Sequence, residues 1–158
     1  MPGEKNGIWY YFLNECTAAA TSELTEGETT YSAGNILNTN ILTPWVEGVS
    51  GNGTGERIRI EYNHDLLFGL YSLEILNGYA DYSKPYLYGY NNRIKKIRVY
   101  NIGYDEYRDF EIEDTPQYQS LVLGFENKSK IIEIEILEVY LGSRWNDTCI
   151  NAIIPTGF

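Results

Sequence analysis

Two stretches of this chain alternate apolar and polar residues, and this alternation constrains the fold most. Residues 56–62 read ERIRIEY, and residues 131–140 read IIEIEILEVY. In the second stretch three isoleucines share one side, and two glutamates share the other. Successive side chains of a β-strand point to opposite faces, so each stretch would pack one face and leave the other in water. Both stretches therefore predict β-strands with one buried face.

Short strand-like segments recur along the rest of the chain. With the two above they give about eight predicted strands, the others lying at residues 16–24, 71–76, 94–100, 107–112, 120–125 and 150–154. Few helix-capping signals and no heptad pattern occur, which favours an all-β sandwich. Residues 25–43 and 77–92 are polar and rich in turn formers, so we expect loops there. The 158 residues show no internal repeat or linker, which predicts one domain.

Charge and composition limit the partners that the domain can bind. The formal net charge is −10, which argues against nucleic acid and anionic lipid, because both need a positively charged surface. No run of eighteen apolar residues occurs, so we expect no insertion into a membrane. Fifteen residues are tyrosines, a type common in strands and on contact surfaces because it offers apolar area and one polar tip. The first residues do not resemble a signal peptide, as would also hold for a piece of a longer precursor.

Short motifs follow one another in a recognisable order. They read TPWVEG at 43–48, GTGE at 53–56, NGY at 77–79, NNRIKK at 91–96, and VYLG with DTCI at 139–142 and 147–150. In this order they resemble the discoidin-like (galactose-binding-like) domain of NAD glycohydrolase-type proteins, a family of glycan-binding or translocation domains. The resemblance implies a discoidin-type, galactose-binding-like jelly-roll β-sandwich over residues 17–158, preceded by an N-terminal extension at residues 1–16.

The same resemblance implies a function. Such domains bring an enzyme or toxin to a host cell surface, so we expect a non-catalytic carbohydrate-binding module of a secreted or cell-surface bacterial protein. Its partner would be a glycan or a cell-surface receptor, and a longer precursor would add a neighbouring domain. The alternative is a protein-binding or adhesion module on the same fold, using the tyrosines or the apolar patch at residues 9–12. A third hypothesis is a hydrolase with paired carboxylates.

A sugar-binding site needs flat rings that stack on C–H groups and forked polar side chains that bind hydroxyl groups. The tyrosine-rich loop and a second loop near the C-terminus supply both. The predicted rings are Tyr79, Tyr82, Tyr86 and Tyr88, the polar groups are Asn77, Asn91, Asn92 and Arg93, and the second loop adds Arg144, Trp145 and Asp147. Alternatively, Asn77, Asn92 and Arg93 brace loops by hydrogen-bonding to the backbone. Trp45 is predicted to lie in the core rather than to contact a ligand.

Catalytic and nucleotide-binding chemistry is disfavoured. The glycine-rich run at residues 51–55 precedes a strand, whereas a phosphate-binding loop lies between a strand and a helix. Glu133 and Glu135 share the wet face of a strand, where neither carboxyl gains the raised pKa of a general acid. His64 is the only histidine and lies in a turn-like segment, so we expect no catalytic triad and no catalytic cysteine.

Two further expectations follow from the resemblance. Related domains often hold a structural Ca²⁺, and the corresponding positions would be Asn38, Thr39 and Ala152. These offer no carboxylate, so we expect no metal and no other cofactor, although backbone carbonyls could still form a weak calcium site. Cys16 and Cys149 would belong to the first and last strands, which run close together in such sandwiches. Either a disulfide or two buried free thiols is therefore predicted.

Overall fold

A computed structural model of the chain describes residues 10–11, 15–38, 43–63 and 69–157. Twelve strands occur in these residues, and eight of them are four residues or longer. They form two five-stranded antiparallel sheets, which pack face to face, and one separate hairpin. The prediction of an all-β sandwich with about eight strands is therefore confirmed.

In the first sheet, most residues of the two central strands are buried. It is formed by β1 (Tyr10–Tyr11), β5 (Trp45–Val46), β7 (Leu70–Asn77), β10 (Gln119–Val122) and β12 (Cys149–Gly157). The strand order is β1-β12-β7-β10, and β5 pairs with the first residues of β12. Most residues of β7 and β12 are buried, and Leu76 and Ala152 of these strands form a small cluster with Ala80 that is separate from the main core.

The second sheet has one apolar and one charged face. It is formed by β2 (Cys16–Ala20), β6 (Arg57–Tyr62), β8 (Arg93–Asn101), β9 (Glu106–Glu111) and β11 (Ile131–Tyr140). The order is β2-β6-β11-β8-β9, so β11 is the central strand. Ile132, Ile134 and Ile136 of β11 are at most 1% exposed, as their alternation with polar residues predicted.

The hydrophobic core lies between the two sheets. Apolar residues of β6, β7, β8, β11 and β12 form one contiguous cluster, and Trp45 belongs to it. Trp45 is fully buried, and its Nε1 donates a hydrogen bond to the carbonyl of Ser22 at 3.0 Å, which confirms its prediction as a core residue. Burial of one such apolar side chain contributes about 1.5–3 kcal/mol, so this cluster holds the sheets and the loops that leave them.

Short elements outside the sheets occupy segments that the sequence predicted as loops. They are the hairpin strands β3 (Leu24–Glu26) and β4 (Thr29–Tyr31), a 3-10 helix at Ala33–Leu37, and the helix α1 (Tyr86–Tyr90). Within the described residues β3 and β4 pair only with each other, and the chain turns between them at Gly27, with φ of 60°. No helix of the described chain is long and apolar enough to cross a membrane.

Cys16 and Cys149 are buried free thiols, so the disulfide alternative is wrong. Cys16 pairs with Tyr62, whose N–H donates to the carbonyl of Lys130. The neighbouring Ser129 bridges to Leu70, which pairs with Gly157 at the end of β12. Cys16 therefore lies at the end of the sandwich where β12 finishes, whereas Cys149 begins β12. The nine residues of β12 span roughly 25 Å, and a disulfide needs Cα atoms within about 7 Å. Burial raises the pKa of Cys16 to about 12 and that of Cys149 well above its usual range, so both thiols stay protonated.

The N-terminal boundary between residues 16 and 17 stays a prediction. Tyr10–Tyr11 pairs with the last residues of β12, and Cys16 belongs to β2, so backbone pairing with the sandwich begins before residue 17. His64 and part of the apolar patch at residues 9–12 lie outside the described residues.

Candidate functional site

A cleft of about 320 Å³ opens between three segments outside the sheets: the β3–β4 hairpin, the segment that ends in α1, and the loop at residues 141–148. Its size lies at the lower end of the range for small-molecule sites. The lining combines four aromatic rings with three aliphatic and four polar or charged side chains. They are Tyr31, Tyr79, Tyr86 and Trp145; Leu24, Val46 and Leu87; and Glu26, Lys84, Asn91 and Asp147.

Glu47 joins two of the sequence motifs beneath the cleft. Its carboxylate accepts hydrogen bonds from the N–H of Val49 at 3.0 Å and from the N–H of Thr148 at 3.2 Å. Gly53, with φ of 79°, packs so closely against Glu47 that a Cβ there would overlap it. Glu47 is fully buried, and burial raises its pKa in spite of the two hydrogen bonds. The TPWVEG motif therefore anchors the start of β12 and the neighbouring Asp147.

Asn92 fixes the loop at residues 141–148. Its side-chain carbonyl accepts a hydrogen bond from the N–H of Gly142 at 2.7 Å, and its amide donates to Oδ1 of Asn146 at 2.9 Å. Its backbone N–H donates to the carbonyl of Asp147 at 3.0 Å. Because Asn92 is fully buried, replacing it would leave unpaired polar groups away from water. The loop is thus held at a defined position beside α1.

Trp145 is held against α1 by backbone and ring contacts. The N–H groups of Trp145 and Arg144 both donate to the carbonyl of Tyr90, at 2.9 and 3.2 Å. The Tyr90 ring lies 5.7 Å from the Trp145 ring and 5.3 Å from the Tyr86 ring. The guanidinium of Arg144 lies over Tyr90 and Trp145. Trp145 remains 42% exposed and Tyr86 53% exposed, so both rings offer area to a ligand.

Tyr31 and Tyr79 form a second pair of rings, with centroids 6.5 Å apart in an edge-to-face arrangement. Each phenol lies close enough to the other to affect its pKa. Burial, with the neighbouring Tyr31, raises the pKa of Tyr79 to about 12, and burial with the nearby Glu26 raises the pKa of Tyr31. Both phenols therefore stay protonated at neutral pH and can donate to, or accept from, a ligand hydroxyl.

Three charged side chains line the cleft, one from each segment. Glu26 ends β3, Lys84 precedes α1, and Asp147 precedes β12. Among the described residues, the two carboxylates and the ammonium form no hydrogen bond and no ion pair within 4 Å. Hydrogen bonds from Ser83, together with the nearby charge of Lys84, lower the pKa of Asp81.

A hydrogen-bonded layer beneath the cleft contains other predicted contacts. Asn77 is fully buried, donates to the carbonyl of Ile94 at 2.8 Å and accepts from its N–H at 2.9 Å. Arg93 forms a two-point pair with Asp114, at 3.0 and 2.8 Å, and the hydroxyl of Tyr88 donates to the same carboxylate at 2.7 Å. The hydrogen bond from Arg93 lowers the pKa of Asp114. These bonds match the bracing alternative.

The predicted site residues thus fall into separate groups. The cleft brings together Tyr79, Tyr86, Trp145, Asp147 and also Asn91, with Arg144 stacked beside Trp145. The bracing layer contains Asn77, Tyr88, Asn92 and Arg93. Tyr82 lies outside the cleft lining, and its hydroxyl donates to the carbonyl of Pro116 at 2.9 Å. Contact between any of these residues and a ligand stays a prediction.

Sequence reasoning missed Glu26, Tyr31 and Lys84. Residues 24–31 read LTEGETTY, two short runs around a glycine, which is a hairpin signal that could have indicated this wall. No sequence pattern predicts that Lys84 lines the cleft, because its position depends on how the loop before α1 folds over the sandwich.

The positions that the resemblance assigns to Ca²⁺ do not offer a suitable donor set. Ala152 is buried and has no side-chain oxygen, Asn38 is exposed, and Thr39 lies outside the described residues. Over the described ranges, no group of three or more His, Cys, Asp or Glu side chains could hold a metal ion. These residues do not fit a calcium site, which needs several oxygen ligands.

An antiparallel jelly-roll sandwich with a cleft between its loops defines the class of F5/8 type C, or discoidin-like, domains. The family model of the NAD glycohydrolase translocation F5/8 type C domain matches residues 9–155. The chain belongs to this family, as its motifs predicted. No curated protein sequence matches it.

Solved structures with the same fold include carbohydrate-binding modules. The family 32 module of Clostridium perfringens NanJ, in complex with galactose, has a TM-score of 0.68 and 18% identity, over 94% of this chain and 99% of that one. A family 32 module of C. perfringens GH89, in complex with GalNAc-β-1,3-galactose, has a TM-score of 0.60 and 15% identity, over 90% of this chain and 96% of that one. An F5/8 type C domain from Bacteroides fragilis has a TM-score of 0.66 and 15% identity, over 95% of this chain and 97% of that one. These likenesses establish the galactose-binding-like fold.

Proposed function

We propose that this domain is a non-catalytic carbohydrate-binding module and that the cleft is its ligand site. The observation that carries the proposal is a set of four aromatic rings around one cleft, beside open polar groups. A sugar presents a patch of C–H groups, which packs on an aromatic face, and a rim of hydroxyl groups, which needs hydrogen-bonding partners. The cleft offers both in one place.

Each lining group has a distinct role in this proposal. The exposed rings of Tyr86 and Trp145 stack on the C–H face of the sugar. The hydroxyl groups of Tyr31 and Tyr79 and the carboxylate of Asp147 bind its hydroxyl groups. The exposure of the two rings and the position of the polar groups in the lining support these roles. The hydrogen-bonded layer that contains Asn77, Asn92 and Arg93 holds the segments around the cleft in place.

The solved relatives support a sugar as the class of ligand. Two C. perfringens modules of this fold are complexes with galactose or a galactose-containing disaccharide. The particular sugar does not transfer to this chain, because ligand choice depends on the loops rather than on the fold. A glycan is therefore proposed as the ligand class.

The non-catalytic assignment is supported by how the chain uses its paired carboxylates. Glu133 and Glu135 pair with Arg57 at 3.1 and 3.3 Å, and Glu133 also pairs with Arg59 at 2.7 Å. Partial burial opposes ionisation, but hydrogen bonds from the two arginines outweigh it and lower the pKa of Glu133. A general acid needs a raised pKa. The solved domains described above are likewise binding modules or F5/8 type C domains.

The module would attach a larger bacterial protein to glycans or a glycosylated receptor at a cell surface. The family description as a translocation domain and the likeness to family 32 modules support this role. A neighbouring domain of the same protein would then carry the activity that is delivered.

A glycan-array screen of the full chain tests the proposal. We expect binding to a defined glycan, weakened about tenfold or more by Trp145→Ala and by Tyr86→Ala, because truncation of aromatic anchors removes most binding energy. Tyr104→Ala is the matched control, because Tyr104 is 49% exposed in the turn between β8 and β9, at the far end of β8. Equal binding by all variants would exclude the cleft. Absence of binding to every glycan on the array would favour the protein-binding alternative.

A further inference from the structure

We infer that the cleft selects its ligand by charge: it prefers a sugar with a protonated amine to a neutral sugar, and a neutral sugar to an acidic one. The inference rests on the proposed function and concerns the same cleft. Its basis is the charge of the lining, which contains two carboxylates, Glu26 and Asp147, and one ammonium, Lys84.

The two carboxylates approach one place from different segments. Glu26 ends β3 and Asp147 precedes β12, and both side chains line the same cleft. Their negative potentials therefore act on the same ligand. The backbone carbonyl of Asp147 accepts a hydrogen bond from the N–H of Asn92 at 3.0 Å, which fixes the backbone position from which this carboxylate extends.

Nearby cations only partly offset this potential. Among the described residues that line the cleft, Lys84 is the only cation. The guanidinium of Arg144 lies over the rings of Tyr90 and Trp145, 5.6 and 5.1 Å from their centroids, and is not part of the lining. The lining thus carries an excess of one negative charge, on a chain whose formal net charge is −10.

An ammonium group suits this lining in two ways. It donates up to three hydrogen bonds, and carboxylates that are unpaired among the described residues accept them as charge-assisted bonds. Its positive charge is also attracted by the faces of tyrosine and tryptophan rings. The carboxylate of an acidic sugar would instead meet two like charges with only Lys84 as a partner. A like charge about 4 Å away weakens binding about fivefold even at the dielectric constant of water.

Isothermal titration of the full chain with three disaccharides of different charge tests this order. The sugars are a glucosamine disaccharide, its N-acetylated counterpart and a galacturonic acid disaccharide, at a pH below the pKa of the amine. We expect the amine sugar to bind about fivefold or more tightly than the N-acetylated sugar, and the acidic sugar to bind most weakly. Added salt should reduce the difference, because ions screen exposed charges.

Charge-neutral variants separate charge from shape. Glu26→Gln and Asp147→Asn should each lower the ratio between the affinities for the amine and the N-acetylated sugar, and Lys84→Gln should raise it. Glu126→Gln removes one negative charge from an exposed turn near the far end of the sandwich and should leave the ratio unchanged.

The outcomes distinguish this inference from the proposed function. If the ratio between the affinities for the amine and the N-acetylated sugar is near one, or if neither carboxylate variant changes it, the charge inference is wrong. The proposed function would still hold in that case, because the sugars bind. Failure of all three sugars beside a positive glycan array also overturns the inference alone. Failure of every glycan overturns the proposed function.

Discussion

Two layers of side chains meet at the cleft, and they differ in what their polar atoms contact. In the lower layer Asn77, Asn92 and Arg93 are buried, and their polar atoms bond to backbone groups or to neighbouring side chains. In the upper layer Tyr86 and Trp145 are exposed, and the charged ends beside them form no ion pair with any residue that the structure describes. Substitutions in the lower layer should therefore change stability, and those in the upper layer should change binding.

The comparison also shows what the family motifs report. The motifs at residues 77–79 and 91–96 contain the bracing asparagines and arginine. Motifs also supply Tyr79, Asn91 and Asp147 to the cleft lining, whereas Trp145, Glu26 and Lys84 lie outside them. The motifs therefore describe chiefly how loops are held on the sandwich, and they fix only part of the cleft lining.

The largest expected effect is on stability, in the lower layer. Asn77→Ala removes both hydrogen bonds to Ile94 and leaves its N–H and carbonyl unpaired in the interior, so the free energy of unfolding should fall by about 2–4 kcal/mol. Urea denaturation measures this loss, and Asn63→Ala, at an exposed position, should change stability by less than about 0.5 kcal/mol. A stable Asn77→Ala protein that no longer binds glycan would move Asn77 into the ligand layer.

A smaller loss is expected from Arg93→Lys. Lysine cannot reproduce the two-point bond to Asp114, so the free energy of unfolding should fall by about 1–2 kcal/mol. Arg98→Lys is the matched control, because Arg98 makes the same two-point bond to Asp109 with a more exposed guanidinium, where solvent screens the pair, so its loss should be clearly smaller. Comparable losses at both sites would remove the difference in burial on which the comparison rests.

A third prediction uses pH to isolate the Arg93–Asp114 pair. The hydrogen bond from Arg93 lowers the pKa of Asp114 in the folded protein below the unfolded value of about 4. Its contribution is therefore complete above the unfolded pKa and is lost as pH falls through the folded value. The difference in unfolding free energy between wild type and Asp114→Asn should shrink towards low pH. A constant difference from neutral to acidic pH would argue against this pair.

The smallest effect is expected at Tyr82. This tyrosine is 61% exposed outside the cleft lining, so Tyr82→Ala should change glycan affinity by less than about twofold, since exposed groups away from an anchor contribute little. Titration calorimetry beside Tyr86→Ala gives the comparison. A loss as large as that of Tyr86→Ala would extend the ligand site beyond the cleft.

Alternation in the sequence predicted the sheets because one side of each strand is buried. The segment at residues 131–140 coincides with β11, whose isoleucines face the core. The β3–β4 hairpin was missed because its two three-residue strands are mostly exposed and carry little apolar alternation. Helix α1 was missed because five residues with a glycine have little helical preference of their own.

The cleft itself could be predicted only in part, for a related reason. Tyr86 and Trp145 were both predicted as site residues, but their meeting depends on long-range bonds such as that from Trp145 N–H to the carbonyl of Tyr90. The same limit applies to Cys16 and Cys149, whose separation follows from strand order and from the length of β12.

The most direct test of the glycan site is an NMR titration that follows the indole N–H signals of the three tryptophans. The ligand is the glycan with the strongest signal on the array, and Trp145→Phe assigns the Trp145 signal. Trp145 lines the cleft, whereas Trp45 is buried and bonded to Ser22. We expect the Trp145 signal to shift progressively with glycan while that of Trp45 stays in place. Glycan binding that leaves the Trp145 signal unchanged would contradict the cleft as the ligand site.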